Sequence, residues 1–461
     1  MKTLTLFLLS FFCFSVNAAV WEVGVTKTYT KPSQVASLVN DNDTVLIDAG
    51  IYEGDVAFWT KSHIIIKGVG GKAHLKANGN SAGGKAIWVI QGEGYYIENI
   101  EFSGCKVPDK NGAGIRQEGA YLTMVNCYLH DNENGVLAGN NEESIITFIS
   151  CEFARNGYGD GYTHNIYINH IKRFVMKYCY SHHAHVGHNI KSRAHFNEIL
   201  YNRIMDEESG DASMQIDLPN GGFSIIMGNI IMQGPNGINR SVITYGLEGL
   251  KNPSSNIWIV NNTFVNKRTT CTYVKLETGS LAIVANNIYA GKGTPVDGIA
   301  TEYTNFHFEN IADAHLQNEA AYNYHLTSLS GAINKGTDLG YISAYYLVPQ
   351  YEYQHPLSFI TRTTSGQIDA GAYEFSTSNI NENIYETPYT CLITENSLLI
   401  SNIGEKSNLS IKIISTDGKI WLSDQISTDC TFNLNTLNKG IYFILISDDK
   451  GGFRCLKWAS L

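Results

Sequence analysis

Proline is scarce in this chain, with 9 among 461 residues, which excludes collagen-like and proline-rich extended architectures. Charge is also low. Asp, Glu, Lys and Arg make up 16% of the residues, too few for a long coiled coil or a disordered chain. The charge that exists leans negative, with 33 basic against 43 acidic residues, the wrong sign for a general nucleic-acid binder. Past the amino terminus no apolar run reaches the length of about 18–20 residues that a membrane span needs. What the chain does have is 43 Gly, 27 Tyr and a hydrophobic share of 43%. That balance suits an extracellular all-β protein. At about 150 residues per domain the length allows roughly three domains.

Met1 to Ala18 reads as a secretory signal peptide, and residues 1–18 are left out of the fold argument. Lys2 gives the positive start, Leu4 to Val16 the apolar stretch, and Val16-Asn17-Ala18 the small-residue cleavage site. Cys13 falls inside it, leaving eight cysteines. Export makes disulfides permissible, but three of the eight take another reading from the repeat.

Short apolar strands recur through the middle of the chain, each centred on Asn or Cys: IENIEF, VNCYLH, ISCEFA, KYCYSH, LYNRIM, MGNIIM, VNNTFV and ANNIYA. The aligned residues Asn99, Cys127, Cys151, Cys179, Asn202, Asn229, Asn262 and Asn287 are spaced by 28, 24, 28, 23, 27, 33 and 25. A period of that size signals a solenoid, and strands without helical periodicity make each repeat one coil of a parallel β-helix. Stacked strands lie about 4.8 Å apart, so an inward Asn can hydrogen-bond its neighbours above and below. Cys is a small, readily buried substitute. Cys127, Cys151 and Cys179 are therefore expected as buried free thiols.

This pattern resembles the right-handed parallel β-helix, pectin-lyase-like superfamily over about residues 20–375. The fold expected is a β-helix domain over 19–380 followed by a small β-sandwich over 387–461. PSQVASLVND (Pro32 to Asp41) looks like the helix that caps the first coil, and Asp43 to Val56 like that coil. Tyr324 to Gly340 and Ile368 to Phe375 resemble a closing segment. After a linker at Asn381 to Glu386, the alternating strands LSIKIIST, TFNLNTL and GIYFILIS resemble the C-terminal sorting domain of the type IX secretion system. The resemblance implies a secreted or cell-surface location and the type IX machinery as a partner. A carbohydrate-binding sandwich is the alternative for this unit.

A solenoid strand alternates core and solvent faces. In NIYIN, NIKSR and QIDLP, Ile166, Ile190 and Ile216 align with spacings of 24 and 26 and should point inward, with Ile168, Ser192 and Leu218. The residues between them should then face solvent in columns: Asn165, Asn189 and Gln215; Tyr167, Lys191 and Asp217; Asn169 and Arg193. His164 and His188 stand just before two of these strands, and the next coil adds Arg240, Tyr245 and Glu248. Such a strip suits an extended polysaccharide, with Tyr offering a stacking surface and amides pairing with hydroxyls. His164, Asn165, Asn189, Gln215, His183 and Arg240 are read as substrate-binding.

Seven histidines fall between His164 and His195, but HHAHVGH does not place its ligands at one point, and no metal ligand is assigned. Asp206, Glu207, Glu208 and Asp211 form an acidic turn, and the superfamily resemblance brings calcium into consideration as a cofactor. GYGDG lacks the context of a phosphate loop.

The superfamily mostly acts on polysaccharides by lysis, hydrolysis or epimerisation, and fold alone does not choose. Lysis of a uronic-acid polymer needs its carboxylate neutralised and a base beside the acidic C–H. Arg193 suits the first role, and Lys191, His188 and Tyr167 are candidates for the second. A hydrolase needs two carboxylates; Asp217 has a partner in Asp211, Glu208 or Glu248 only if a loop folds over. Epimerisation shares the proton-abstraction step. An adhesin would use the strip without turnover. The reading adopted is a monomeric polysaccharide lyase whose catalytic residues are Lys191, Arg193, His188, Tyr167 and Asp217.

Overall fold

The computed structural model describes residues 18–376 continuously and, beyond them, most of the strands between residues 390 and 460. The proposed signal peptide, apart from Ala18, and the linker at 381–386 lie outside the described residues. The chain divides into two compact units, residues 1–377 and 378–461.

The first unit is a parallel β-helix. One parallel sheet has ten strands, running from Ala57–Trp59 to Thr294–Asp297. A second has 21 strands and is bent into two stacks, because Ile65–Lys76 pairs with both Tyr95–Glu98 and Ile100–Ser103. The ten-stranded sheet is called the site sheet below. The two stacks are the long stack, which includes Ile171–Lys177, and the short stack, which includes Tyr180–His182.

The corner between the two stacks explains the Asn and Cys repeat. Asn202 Nδ2 donates to Asn229 Oδ1 (3.0 Å), Asn229 Nδ2 to Asn262 Oδ1 (2.9 Å), and Asn262 Nδ2 to Asn287 Oδ1 (3.0 Å). Asn305 extends the column by accepting from Asn287 Nδ2 at 3.1 Å. Each buried amide thereby keeps its partners, and an unsatisfied one costs about 1–3 kcal/mol. Cys127, Cys151 and Cys179 continue the column as buried free thiols, with Cys179 Sγ accepting from the Cys151 amide. Asn99 does not belong to this column. The register Tyr128↔Glu101 puts Ile100 opposite Cys127. Asn99 instead heads the preceding column, where Asn126, Ser150, Tyr178, Tyr201, Asn261 and Asn286 all take positive φ. One residue per coil turns left-handed there, and Asn tolerates that conformation better than most side chains.

The amino-terminal end is closed by the short helix Pro32–Ala36. Pro at its start suits a first helical turn, and Gln34 Oε1 accepts from the Thr30 and Lys31 amides. Val35, Ala36 and Val39 join the apolar core. A helix through Asp41 was expected; it ends five residues earlier, and residues 37–42 form a turn. The later segment does more than close the last coil. Tyr324, Leu326, Ala332, Ala370 and Ala372 pack with Ile230, Met232, Val265 and Ile288, which lie on the short stack. The left-handed Asn column helps to hold this segment, since Asn286 Oδ1 accepts from the Thr337 amide and Asn261 Nδ2 donates to the Asp369 carbonyl.

The second unit contains two antiparallel sheets, one of three strands and one of four. Leu398 and Ile400 of the first share a core with Leu409, Ile411, Ile444 and Ile446 of the second, the packing of a small sandwich.

Candidate active site

The site sheet places Tyr167 opposite Lys191, Lys191 opposite Asp217, and Asp217 opposite Thr244. Ile166, Ile190 and Ile216 are fully buried behind them. The alternation of a strand therefore holds at the centre of these coils and projects one polar residue per coil outward.

Lys191 is the hub of this row. Its Nζ lies 3.0 Å from Asp217 Oδ2 and 3.2 Å from Glu248 Oε1. Arg193, two residues on, reaches Glu248 Oε2 at 2.8 Å with Nη1, and the same nitrogen donates to Asn220 Oδ1 at 2.6 Å. Its Nε donates to the Tyr167 hydroxyl at 3.2 Å. Thr244 donates to Asp217 Oδ1 at 2.6 Å. Burial works against the Arg193 charge, but its bonds to Glu248 and Tyr167 outweigh that and raise its pKa. Glu248 responds the other way. The hydrogen bond from Arg193 leads, and Lys191 adds to it, holding this carboxyl at about 2.

Two imidazoles form the wall beside this row. His188 donates its backbone N–H to His164 Nδ1 at 3.0 Å, and the rings stack at 4.7 Å. His164 also stacks on Tyr167 at 5.7 Å. Burial drives the His188 pKa down to about 4, and burial with the nearby cations keeps His164 well below its ordinary value. Both rings are thus neutral near pH 7, and the bond into His164 Nδ1 places its proton on Nε2. His188 Nε2 stands 3.6 Å from Asp217 Oδ2, longer than a hydrogen bond.

Local chain geometry brings these groups together. Gly187 runs so close to the previous coil that an added Cβ would lie 1.8 Å from the Thr163 carbonyl. The loop after Tyr245 turns on Gly246 (φ 79°) and Gly249 (φ 97°), conformations that favour glycine. The Glu248 amide is tied to the Pro219 carbonyl at 2.9 Å. Asn252 Nδ2 then pins the loop to the carbonyls of Ala194 and Gly221, each at 3.0 Å.

Several sequence expectations need correction. Asn165, Asn189 and Gln215 are each 0% exposed and contact no solvent. Asn165 Nδ2 donates to Asn189 Oδ1 (2.8 Å), and Asn189 Nδ2 to Gln215 Oε1 (2.7 Å). Gln215 Nε2 and Asn189 Nδ2 both end on the buried Asp206 carboxylate. Asn165 directly precedes its strand, and Asn189 and Gln215 are the second residues of theirs, at the corner after the short stack, where the side chains turn in against neighbouring coils and form a second internal ladder. They are not a substrate-binding column. Tyr245 is also buried, with its hydroxyl donating to the Gly222 carbonyl. His183 lies away from the row, on the loop after the short stack, bonded to His182 and Ser209. Arg240 is exposed just before Ser241, two coils beyond His188 and outside the row.

The histidine-rich segment divides among separate partners. His182 meets Glu152, His183 meets Ser209, His185 meets Asp211, and His188 faces Asp217. The acidic turn divides too: Asp206 joins the amide ladder, Glu207 binds Tyr180 and Arg203, and Asp211 binds His185. Sequence reasoning missed Asn220, Thr244 and Asn252. Thr244 was within reach, since it continues the Tyr167–Lys191–Asp217 register by one coil. Asn220 and Asn252 sit in loops whose path depends on glycine turns.

Residues 394–454 match the secretion system C-terminal sorting domain family. No curated protein matches the chain. Among solved structures, pectate lyase Pel9A superposes with a TM-score of 0.53 at 14% identity, covering 78% of this chain and 98% of that one. An alginate lyase from Paenibacillus sp. str. FPU-7 gives a TM-score of 0.40 at 14% identity, covering 62% and 97%. Among the described residues, no helix is long and apolar enough to cross a membrane. The chain is thus a secreted or cell-surface protein that shares the parallel β-helix fold of pectate lyase Pel9A and ends in a type IX secretion sorting domain.

Proposed function

We propose that the row on the site sheet is the active site of a lyase that cleaves a uronic-acid-containing polysaccharide by β-elimination. One observation carries the reading. The Glu248 carboxylate is held between Lys191 and Arg193, with one oxygen on each cation. A uronate carboxylate has the same chemistry and fits the same pair of donors once the Glu248 loop gives way. Neutralising that group is the hard part of the reaction, because charge flows onto it as the neighbouring C–H proton leaves. A well-aimed donor of this kind contributes about 3–4 kcal/mol.

The proton acceptor in this reading is the Tyr167 oxygen, which first gives its own proton to solvent. Arg193 Nε donates to that oxygen at 3.2 Å and fixes its position on the row. His188 is neutral but nearly enclosed, and its low pKa of about 4 makes it a weak base. Lys191 is engaged by two carboxylates and serves as the cation. The acidic proton of the uronate passes to Tyr167, a C=C bond forms, and the C–O bond to the leaving sugar breaks. Lys191 then protonates that oxygen. His164, stacked on Tyr167, supports its ring. Calcium has no assigned place in these steps.

A hydrolase is the second reading, favoured by the positions of Asp217 and Glu248. Both contact Lys191 Nζ, so their carboxylate oxygens lie within about 6 Å of each other, near the spacing used by retaining glycosidases. Incubation with a panel of acidic polysaccharides separates the cases. New ultraviolet absorbance from unsaturated uronate ends supports the lyase. New reducing ends without that absorbance support the hydrolase, and binding without either product supports an adhesin.

A further inference from the structure

A second polar cluster lies on the outer face of the short stack, near the amino-terminal end. His74 pairs in register with Glu101, and Ser103 pairs with His130, on three successive coils. His74 Nδ1 is 3.3 Å and His130 Nε2 is 3.0 Å from the same oxygen, Glu101 Oε1. The three atoms fall within 4.8 Å of one another. The side chains are 20%, 22% and 13% exposed, so the cluster is partly sheltered yet open to solvent on one side.

The other nitrogen of each imidazole is occupied. His74 Nε2 meets Ser103 Oγ at 2.6 Å, and His130 Nδ1 meets Asp131 Oδ2 at 2.5 Å. Asp131 is itself fixed by Arg155, whose Nε and Nη2 donate at 3.0 and 2.9 Å. These partners can take the ring protons and leave both inner nitrogens as lone pairs aimed at one point. A carboxylate behind a ligating histidine is a recurrent way to set its tautomer and orientation. Ligand atoms about 2.0–2.2 Å from zinc lie about 3.3–3.6 Å apart in a tetrahedron, close to the observed separations from Glu101.

We propose that His74, Glu101 and His130 form a site for one divalent transition-metal cation of the zinc class, which staples three successive coils. Two imidazoles and one carboxylate favour such a cation over calcium, which prefers oxygen donors. The fourth position falls to water on the open side. This cluster lies on a different sheet from Lys191, and its role is structural.

The test uses untagged full-length protein stripped with a chelator. Zn²⁺ binding is followed by calorimetry and Co²⁺ binding by visible absorption, with Ca²⁺ as the comparison. The expected result is one tight equivalent of Zn²⁺, an intense Co²⁺ spectrum typical of tetrahedral coordination, and a raised melting temperature. His74→Ala and His130→Ala should each weaken binding at least 100-fold while the far-ultraviolet circular dichroism is unchanged. Asp131→Asn, which keeps all three ligands, should weaken it about 10–100-fold and covers the case in which an alanine variant does not fold. Absence of a Zn²⁺ equivalent in the wild type, equal preference for Ca²⁺, or unchanged affinity in both alanine variants would overturn the proposal. The cluster would then be a hydrogen-bonded His–Glu–His network only.

Discussion

At the scale of single residues, the proposed chemistry turns on three side chains, Lys191, Arg193 and Glu248. Glu248 is the informative one because the two reactions need it differently. In the lyase it is a stand-in for substrate, so Glu248→Gln should keep turnover within about tenfold and lower KM. In a hydrolase it is one of two essential carboxylates, and the same change should remove activity. Steady-state kinetics on the cleaved polymer decides. A second residue-scale prediction concerns Asp206, whose carboxyl burial pushes up to about 7. An unfolded aspartate titrates near 3.9. Between about pH 4 and 7 the folded form therefore holds a proton that the unfolded form lacks, so stability falls as pH rises and levels off above 7. Asp206→Asn should flatten that slope in melting temperature against pH, and equal slopes in both proteins would contradict it. Tyr167, Lys191 and Asp217 were legible in the sequence because strand alternation and a steady period suffice to find them. Asn165, Asn189 and Gln215 were not, since a corner breaks the alternation and no local signal marks where it resumes.

At the scale of elements, the coils are held by amide ladders as well as by apolar burial. Asn229 Oδ1 accepts from both the backbone N–H and the side chain of Asn202, and its own Nδ2 donates to Ile199 and Asn262. Asn229→Ala should strand several buried groups and cost about 2–4 kcal/mol, read as a lower urea midpoint. A loss below about 0.5 kcal/mol would mean that water replaces the amide. The repeat made this ladder legible, down to the Cys substitutions at Cys127, Cys151 and Cys179. The alignment slipped at its first member, because Asn99 and the true ladder position Ile100 are neighbours and only the register separates them. The loop carrying Glu248 was beyond such reading. Its course depends on Gly246, Gly249 and the clamp by Asn252, which act through tertiary contacts.

At the scale of the whole molecule, two compact units divide the labour. The β-helix carries the proposed chemistry, and the C-terminal unit carries the sorting match at residues 394–454. Removal of residues 387–461 should abolish export while leaving catalysis by the β-helix unit intact, as measured by cell fractionation and by assay of the purified truncation. Loss of activity in a folded truncation would assign substrate binding to the tail. Fold and destination were legible because a solenoid repeats its signal in every coil and a sorting domain is recognised by its own strand pattern. The reaction was less so, since it depends on how one loop folds over one strip. The central claim is that Lys191 and Arg193 neutralise a uronate carboxylate on the site sheet. It is tested most directly by the rate of unsaturated-end absorbance from an acidic polysaccharide panel, for wild type, Lys191→Ala and Arg193→Ala. The account predicts product from the wild type and a fall of about 10²–10³-fold in each variant with the fold retained. Wild-type rates in both variants would contradict it.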